Sequence, residues 1–100
     1  MKNQQINPEG LWQIDNEDEF IRIRRKEGQA DCFTIEGKTN KGIETIDNDA
    51  QLFITNASHI HVAKSSFFVG SDILVKNLEH FTNNNRSFKK VASNARMTWN

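Results

Sequence analysis

The chain has 100 residues, enough for one domain with a single modest core and too few for a second. Thirteen basic residues balance thirteen acidic ones, which argues against a general polyanion binder and leaves room for a local basic patch. No apolar run is long enough to cross a bilayer as a helix, so no membrane partner is expected.

The first ten residues, with Pro8 and Gly10, are polar and lack the apolar stretch of a secretory signal. They are expected to form a flexible tail, with residues 11–100 as one β-rich domain. A lone cysteine, Cys32, has no partner for an internal disulfide. Together these favour a reducing cytoplasm. Asn56-Ala-Ser58 and Asn85-Arg-Ser87 match the glycosylation sequon and are chance matches in that compartment. The richness in Asn and the absence of Tyr fit an AT-rich bacterial or phage genome.

Leu11 to Asp15 alternates, with Trp12 and Ile14 on one face. An acidic turn follows, Asn16-Glu-Asp-Glu19. Phe20 to Arg24 alternates again, with Ile21 and Ile23 toward the core and Arg22 and Arg24 on the other face. Gly28 marks a turn into Asp31–Ile35, where Phe33 and Ile35 share a face, and the pair reads as a hairpin. Glu36 to Gly42 reads as a flexible loop, Ile43 to Ile46 as a weak strand, and Asp47-Asn-Asp49 as a turn.

Gln51 to Asn77 holds the densest apolar blocks, separated by Asn56-Ala-Ser58, Ser65-Ser66 and Gly70-Ser-Asp72. Short blocks rich in β-branched and aromatic residues between such breakers read as buried strands. Phe67-Phe-Val69 and Ile73-Leu-Val75 would then be joined by a hairpin loop. A rival reading starts a helix at Ser71; strand is preferred because Ile73-Leu-Val75 opens the segment. Thr82 to Asn85 reads as a linker that also offers helix caps. From Arg86 to Trp99 the period changes: Phe88, Val91, Ala92, Ala95 and Trp99 fall at helical spacing. The expected fold is mainly β, a small barrel or sandwich of short antiparallel strands, with a C-terminal amphipathic α-helix.

Motifs with chemistry are few. Gly37-Lys-Thr39 echoes the end of a Walker A loop, but Cys32 stands where the motif needs its first glycine. His59 and His61 share a strand face, so both imidazoles would reach one metal. The pair resembles the His-x-His pattern with which some trimeric phage spike proteins gather histidines around iron. Two ligands are too few for a closed site, and the ordinary reading is a polar strand face. Cys32 has no adjacent base to activate it. The acidic turn lacks the spacing of a calcium loop. No nucleophile elbow or cofactor motif occurs.

Basic residues gather in two places: Arg22, Arg24, Arg25 and Lys26, and Arg86, Lys89, Lys90 and Arg96. If the two adjoin, Arg22, Arg24, Arg25, Lys89 and Lys90 make one binding patch. Arg22 to Arg25, then Thr55-Asn-Ala-Ser58, then Val69 to Val75 is an order similar to that of PilZ domains. Those bind cyclic di-GMP through an arginine motif and an Asp/Asn-x-Ser-x-x-Gly motif. The resemblance implies nucleotide contact by these arginines. His61 stands at the motif's glycine and Lys26 at its second arginine, so the chain is not placed in that family. The resulting expectation is a non-enzymatic binding module, without cofactor, that docks on another protein. The alternative is a nucleic-acid or nucleotide binder using the patch.

Overall fold

The computed structural model describes residues 5–39 and 41–92. They form eight strands: β1 (Gly10–Ile14), β2 (Phe20–Arg25), β3 (Cys32–Thr39), β4 (Gly42–Asn56), β5 (His59–Lys64), β6 (Asp72–Asn77), β7 (His80–Asn83) and β8 (Arg86–Ala92). Each pairs antiparallel with the next, and β8 returns to β1, so the sheet closes into an up-and-down barrel. The mainly β expectation holds, as a barrel and not a sandwich.

Alternation places the core. Trp12 and Ile14, Ile21 and Ile23, Phe33 and Ile35, Ile60 and Val62, and Ile73 and Val75 point inward, as period two requires. An eight-stranded barrel is just wide enough for side chains to fill it. Here an aromatic group does much of the filling. Trp12 meets Phe81 edge-on at 4.6 Å, and Phe81 stacks on Phe88 at 4.7 Å. Such pairs each add about 0.5–1.5 kcal/mol beyond the area they bury.

Both barrel ends are stoppered. At the end where β1 begins, Ile6 and Pro8 are buried, and the Trp12 indole N–H donates to the Pro8 carbonyl at 2.9 Å. These two residues fall in the stretch that sequence alone reads as a loose tail. At the opposite end the β5–β6 loop, residues 65–71, brings Phe68 to 5.7 Å from Phe88 and Phe67 to 4.9 Å from Phe68. Two buried polar side chains fasten this loop. The Asp47 carboxylate accepts from Ser66 N at 2.7 Å and Ser65 Oγ at 3.0 Å. Asn83 accepts from Val69 N at 3.0 Å and donates to the carbonyls of Val69 and Asp72, each at 2.9 Å.

Several expectations need correction. No helix occurs among the described residues. Arg86–Ala92, expected to open the C-terminal helix, is strand β8, and the rest of that expected helix lies outside the described residues. Phe88 and Ala92 are four apart, a spacing that fits one helix face and also one strand face. Exposed Val91 shows which period is realised. The expected linker before it is a hairpin turn. Asn84 and Asn85 take φ of 50° and 68°, and Asn tolerates the left-handed conformation that two-residue hairpin turns require. The expected loop 36–42 is mostly the paired ends of β3 and β4. The expected turn at Asp47–Asp49 is a bulge within the single long strand β4: Phe33 faces Ala50 while Ile35 faces Asp47. Phe67-Phe-Val69 is loop, not strand, capped by Ser65 Oγ accepting from Phe67 N and Phe68 N. Ile73-Leu-Val75 is strand β6, as preferred over the helix.

Removing either loop fastener strands buried backbone groups. Asp47→Ala and Asn83→Ala are each expected to cost about 2–4 kcal/mol in urea unfolding. A loss under about 0.5 kcal/mol, the range of a plain surface change, would mean the loop is not held this way.

Candidate functional site

A filled barrel leaves its outer wall as the place for chemistry. Across β8, β1, β2 and β3 the outward residues run in register: Lys89 faces Gln13, Gln13 faces Phe20, Leu11 faces Arg22, Arg22 faces Glu36 and Arg24 faces Thr34. Lys38 follows Glu36 on the same face. Arg22 Nε donates to Glu36 Oε1 at 2.7 Å, and Arg24 Nε lies 3.4 Å from the same oxygen. Among the described residues the Lys38 and Lys89 ammonium groups take part in no hydrogen bond or ion pair. The wall therefore sets four cations, Lys89, Arg22, Arg24 and Lys38, against the carboxylate of Glu36. Beside Lys89, an open depression of about 290 Å³ is lined by Gln13, Asn77, Glu79, His80 and Ser87.

The structure brings together only part of the expected patch. Arg22, Arg24 and Lys89 share the wall. Arg25 and Lys90 follow outward-facing neighbours and so turn to the barrel end. The Arg25 guanidinium sits 5.0 Å from the Phe33 ring centroid, donates to the Ala30 carbonyl at 2.9 Å and lies 3.4 Å from Glu9. Lys90 Nζ donates to the Asn7 carbonyl at 2.9 Å and lies 5.0 Å from the Trp12 ring centroid. Burial lowers the Lys90 pKa, with Glu79 and Glu9 opposing. Arg86 is bound by Asp15 at 2.9 Å and Glu19 at 3.2 Å, which assigns the acidic turn to a structural role.

His59 and His61 do point outward from β5 on one face. His59 Nε2 lies 2.6 Å from Asp72 Oδ1, and its Nδ1 lies 2.8 Å from Thr55 Oγ1. Both ring nitrogens are thus occupied, and the imidazole joins β4, β5 and β6. Thr55 also donates to the His59 carbonyl at 3.0 Å. His61 faces Phe53 and Asp72 across the sheet and is exposed. Among the described residues no group of three or more His, Cys, Asp and Glu is placed to hold a metal ion. Gly37-Lys-Thr39 is strand, with none of a phosphate loop's curvature. Asn56, the PilZ-like asparagine, accepts from Ser58 N and Oγ within its own turn.

Family models, curated proteins and solved structures yield no match to this chain. The PilZ likeness thus gains no support from a family match.

Sequence reasoning missed Glu36, Lys38, Thr55 and Asp72. Their roles depend on cross-strand register, which no local motif signals. Alternation from Phe33 and Ile35 does put Glu36 and Lys38 outward, and that signal was hidden by reading 36–42 as loop.

The Asp15 pKa is lowered, first by the Ser87 N–H donated to it at 2.7 Å and then by Arg86. A carboxylate depressed in the folded state contributes stability above its unfolded pKa, near 3.8, and loses it as pH falls through the folded value. Asp15→Asn should therefore lower the urea midpoint at neutral pH, and the gap from wild type should close below pH 3.8. A gap that stays constant in acid would contradict this coupling.

Proposed function

We propose that this protein is a non-enzymatic docking module that binds an acidic surface of another protein through the wall of β8, β1, β2 and β3. The observation that carries the proposal is the charge of that wall, four cations against one carboxylate, on a chain whose formal net charge is zero. Such an asymmetry steers association with an oppositely charged partner and orients it. Arg24, exposed and beside the shared Glu36, is the central contact in this reading. The outward amide of Gln13 and the half-buried ring of Phe20 lie between Lys89 and the arginines.

Nucleic-acid binding is the second reading, because the same cations suit phosphates. It lacks one of its usual supports. Single-strand binders stack bases on exposed aromatic rings. Here Trp12, Phe33, Phe81 and Phe88 are spent on the core, exposed Phe53 lies on β4 outside this wall, and the wall's own Phe20 is half-buried. The hydroxyl–imidazole–carboxylate line of Thr55, His59 and Asp72 is read as a strand clasp and not as a catalytic relay. Its hydroxyl is already bonded to a backbone carbonyl.

Quantitative affinity capture from the native host tests this, using wild type, Lys38→Glu/Lys89→Glu and a control Lys76→Glu on the opposite side of the barrel. A stoichiometric protein partner should be lost in the double variant and at raised salt, and kept in the control. Single-stranded oligonucleotides should bind more weakly than about 10 µM at physiological salt. Sub-micromolar oligonucleotide binding that the double variant abolishes would overturn the protein-partner reading in favour of the second one.

A further inference from the structure

Lys89 stands in a polar row on the outer face. His80 of β7 faces it on one side and Gln13 of β1 on the other. With Ser87, two positions back along β8, these residues line the open depression of about 290 Å³. That size is near the lower limit of small-ligand sites, about 300 Å³. Its groups are placed to donate. The Lys89 ammonium takes part in no hydrogen bond or ion pair among the described residues. His80 Nε2 lies 2.8 Å from Ser87 Oγ. When Nε2–H donates to Oγ, the hydroxyl proton is left to donate to a guest, and an anion selects that arrangement. Gln13 Nε2 gives one hydrogen to the Glu17 carbonyl at 3.0 Å and keeps a second. Asn77 spends its Oδ1 on Glu79 N at 2.8 Å, which leaves its amide hydrogens to offer. Glu79 is the one acidic residue of the lining, and it acts electrostatically on Lys90.

We propose that this depression is a phosphomonoester subsite, filled by a phosphorylated side chain of the acidic partner. The partner rests on the docking reading above; the subsite does not. Two features select phosphate over a carboxylate. A carboxylate is best met by the planar fork of a guanidinium, and none lines the depression among the described residues. The donors are instead an ammonium, a hydroxyl and two amides, spread over the successive strands β6, β7, β8 and β1. That spread suits the three oxygens of a phosphate, which fan outward. Position then ties the subsite to the wall. Lys89 and Arg22 lie two strands apart, at least roughly 10 Å. About three or four extended residues cover that span. A phosphorylated residue seated beside Lys89 therefore brings acidic neighbours within reach of Arg22 and Arg24.

NMR titration of the full chain at fixed pH and ionic strength tests the proposal, read at the His80 ring and the Ser87 and Lys89 amides. The probes are inorganic phosphate, acetate, and a capped peptide with one phosphoserine flanked by four aspartates on each side, with its unphosphorylated form. Phosphate should saturate with a Kd of about 1–10 mM and bind about tenfold tighter than acetate. The phosphopeptide should bind about tenfold tighter than phosphate and than its unphosphorylated form. Lys89 is exposed, so Lys89→Gln should stay folded and weaken phosphate and phosphopeptide alike, about tenfold. Ser87→Ala should weaken both about threefold. Arg24→Gln should weaken only the peptide, about threefold. Shifts that do not saturate, acetate binding as tightly as phosphate, or indifference to Lys89→Gln would overturn the subsite. Saturable phosphate with the two peptides binding alike would overturn the phosphorylated anchor and leave the docking reading standing. Saturable phosphate with a peptide indifferent to Arg24→Gln would overturn the wall's part in docking, and the partner with it.

Discussion

A ladder of backbone pairs from Trp12 to Ile14 and from Phe88 to Lys90 joins the first strand to the last. Gly10 makes the approach possible at one end. Its φ is +142°, and a Cβ there would lie 2.7 Å from the Ala92 carbonyl oxygen. Asp15, bonded to Ser87 N and Arg86, holds the other end. Closing this seam turns a meander into a tube, and eight strands make a tube that side chains fill. Trp12, Phe81 and Phe88 then lie within one aromatic cluster contributed by β1, β7 and β8, directly behind the seam. Seam and core support each other.

Filling has a functional consequence. With Ile6 and Pro8 at one end and Phe67 and Phe68 at the other, the interior formed by the described residues is packed side-chain core. Recognition is left to the outer surface. The wall there offers charge, which acts at a distance and is screened by salt.

Alternation made much of the fold legible. Period two alone put Trp12 with Ile14 and Phe33 with Ile35 on shared faces and turned Ile21 and Ile23 to the core, and all six are buried. Failures came where a pattern served two periods or where a polar residue faced inward. Phe88 and Ala92 fit both helix and strand. Asp47 and Asn83 read as turn and linker residues, yet each is buried to fasten a loop. Their partners, Ser65, Ser66 and Val69, are distant in sequence. The candidate patch was legible to the same degree. Arg22 and Arg24 were put on one face correctly. Arg25 and Lys90 belong to the opposite parity, and the Glu36 that binds both wall arginines becomes visible only with the β2–β3 register.

Closure is best tested by native-state hydrogen exchange of the amides bonded across the β1–β8 seam. In a closed barrel they exchange only when the whole molecule unfolds. Their opening free energy should then equal that of the core amides Leu52, which donates to the Asp31 carbonyl, and Val62, which donates to the Ser71 carbonyl. Seam amides exchanging about 100-fold faster than those, by local fraying, would show an open sheet and contradict the filled, closed barrel on which the surface reading rests.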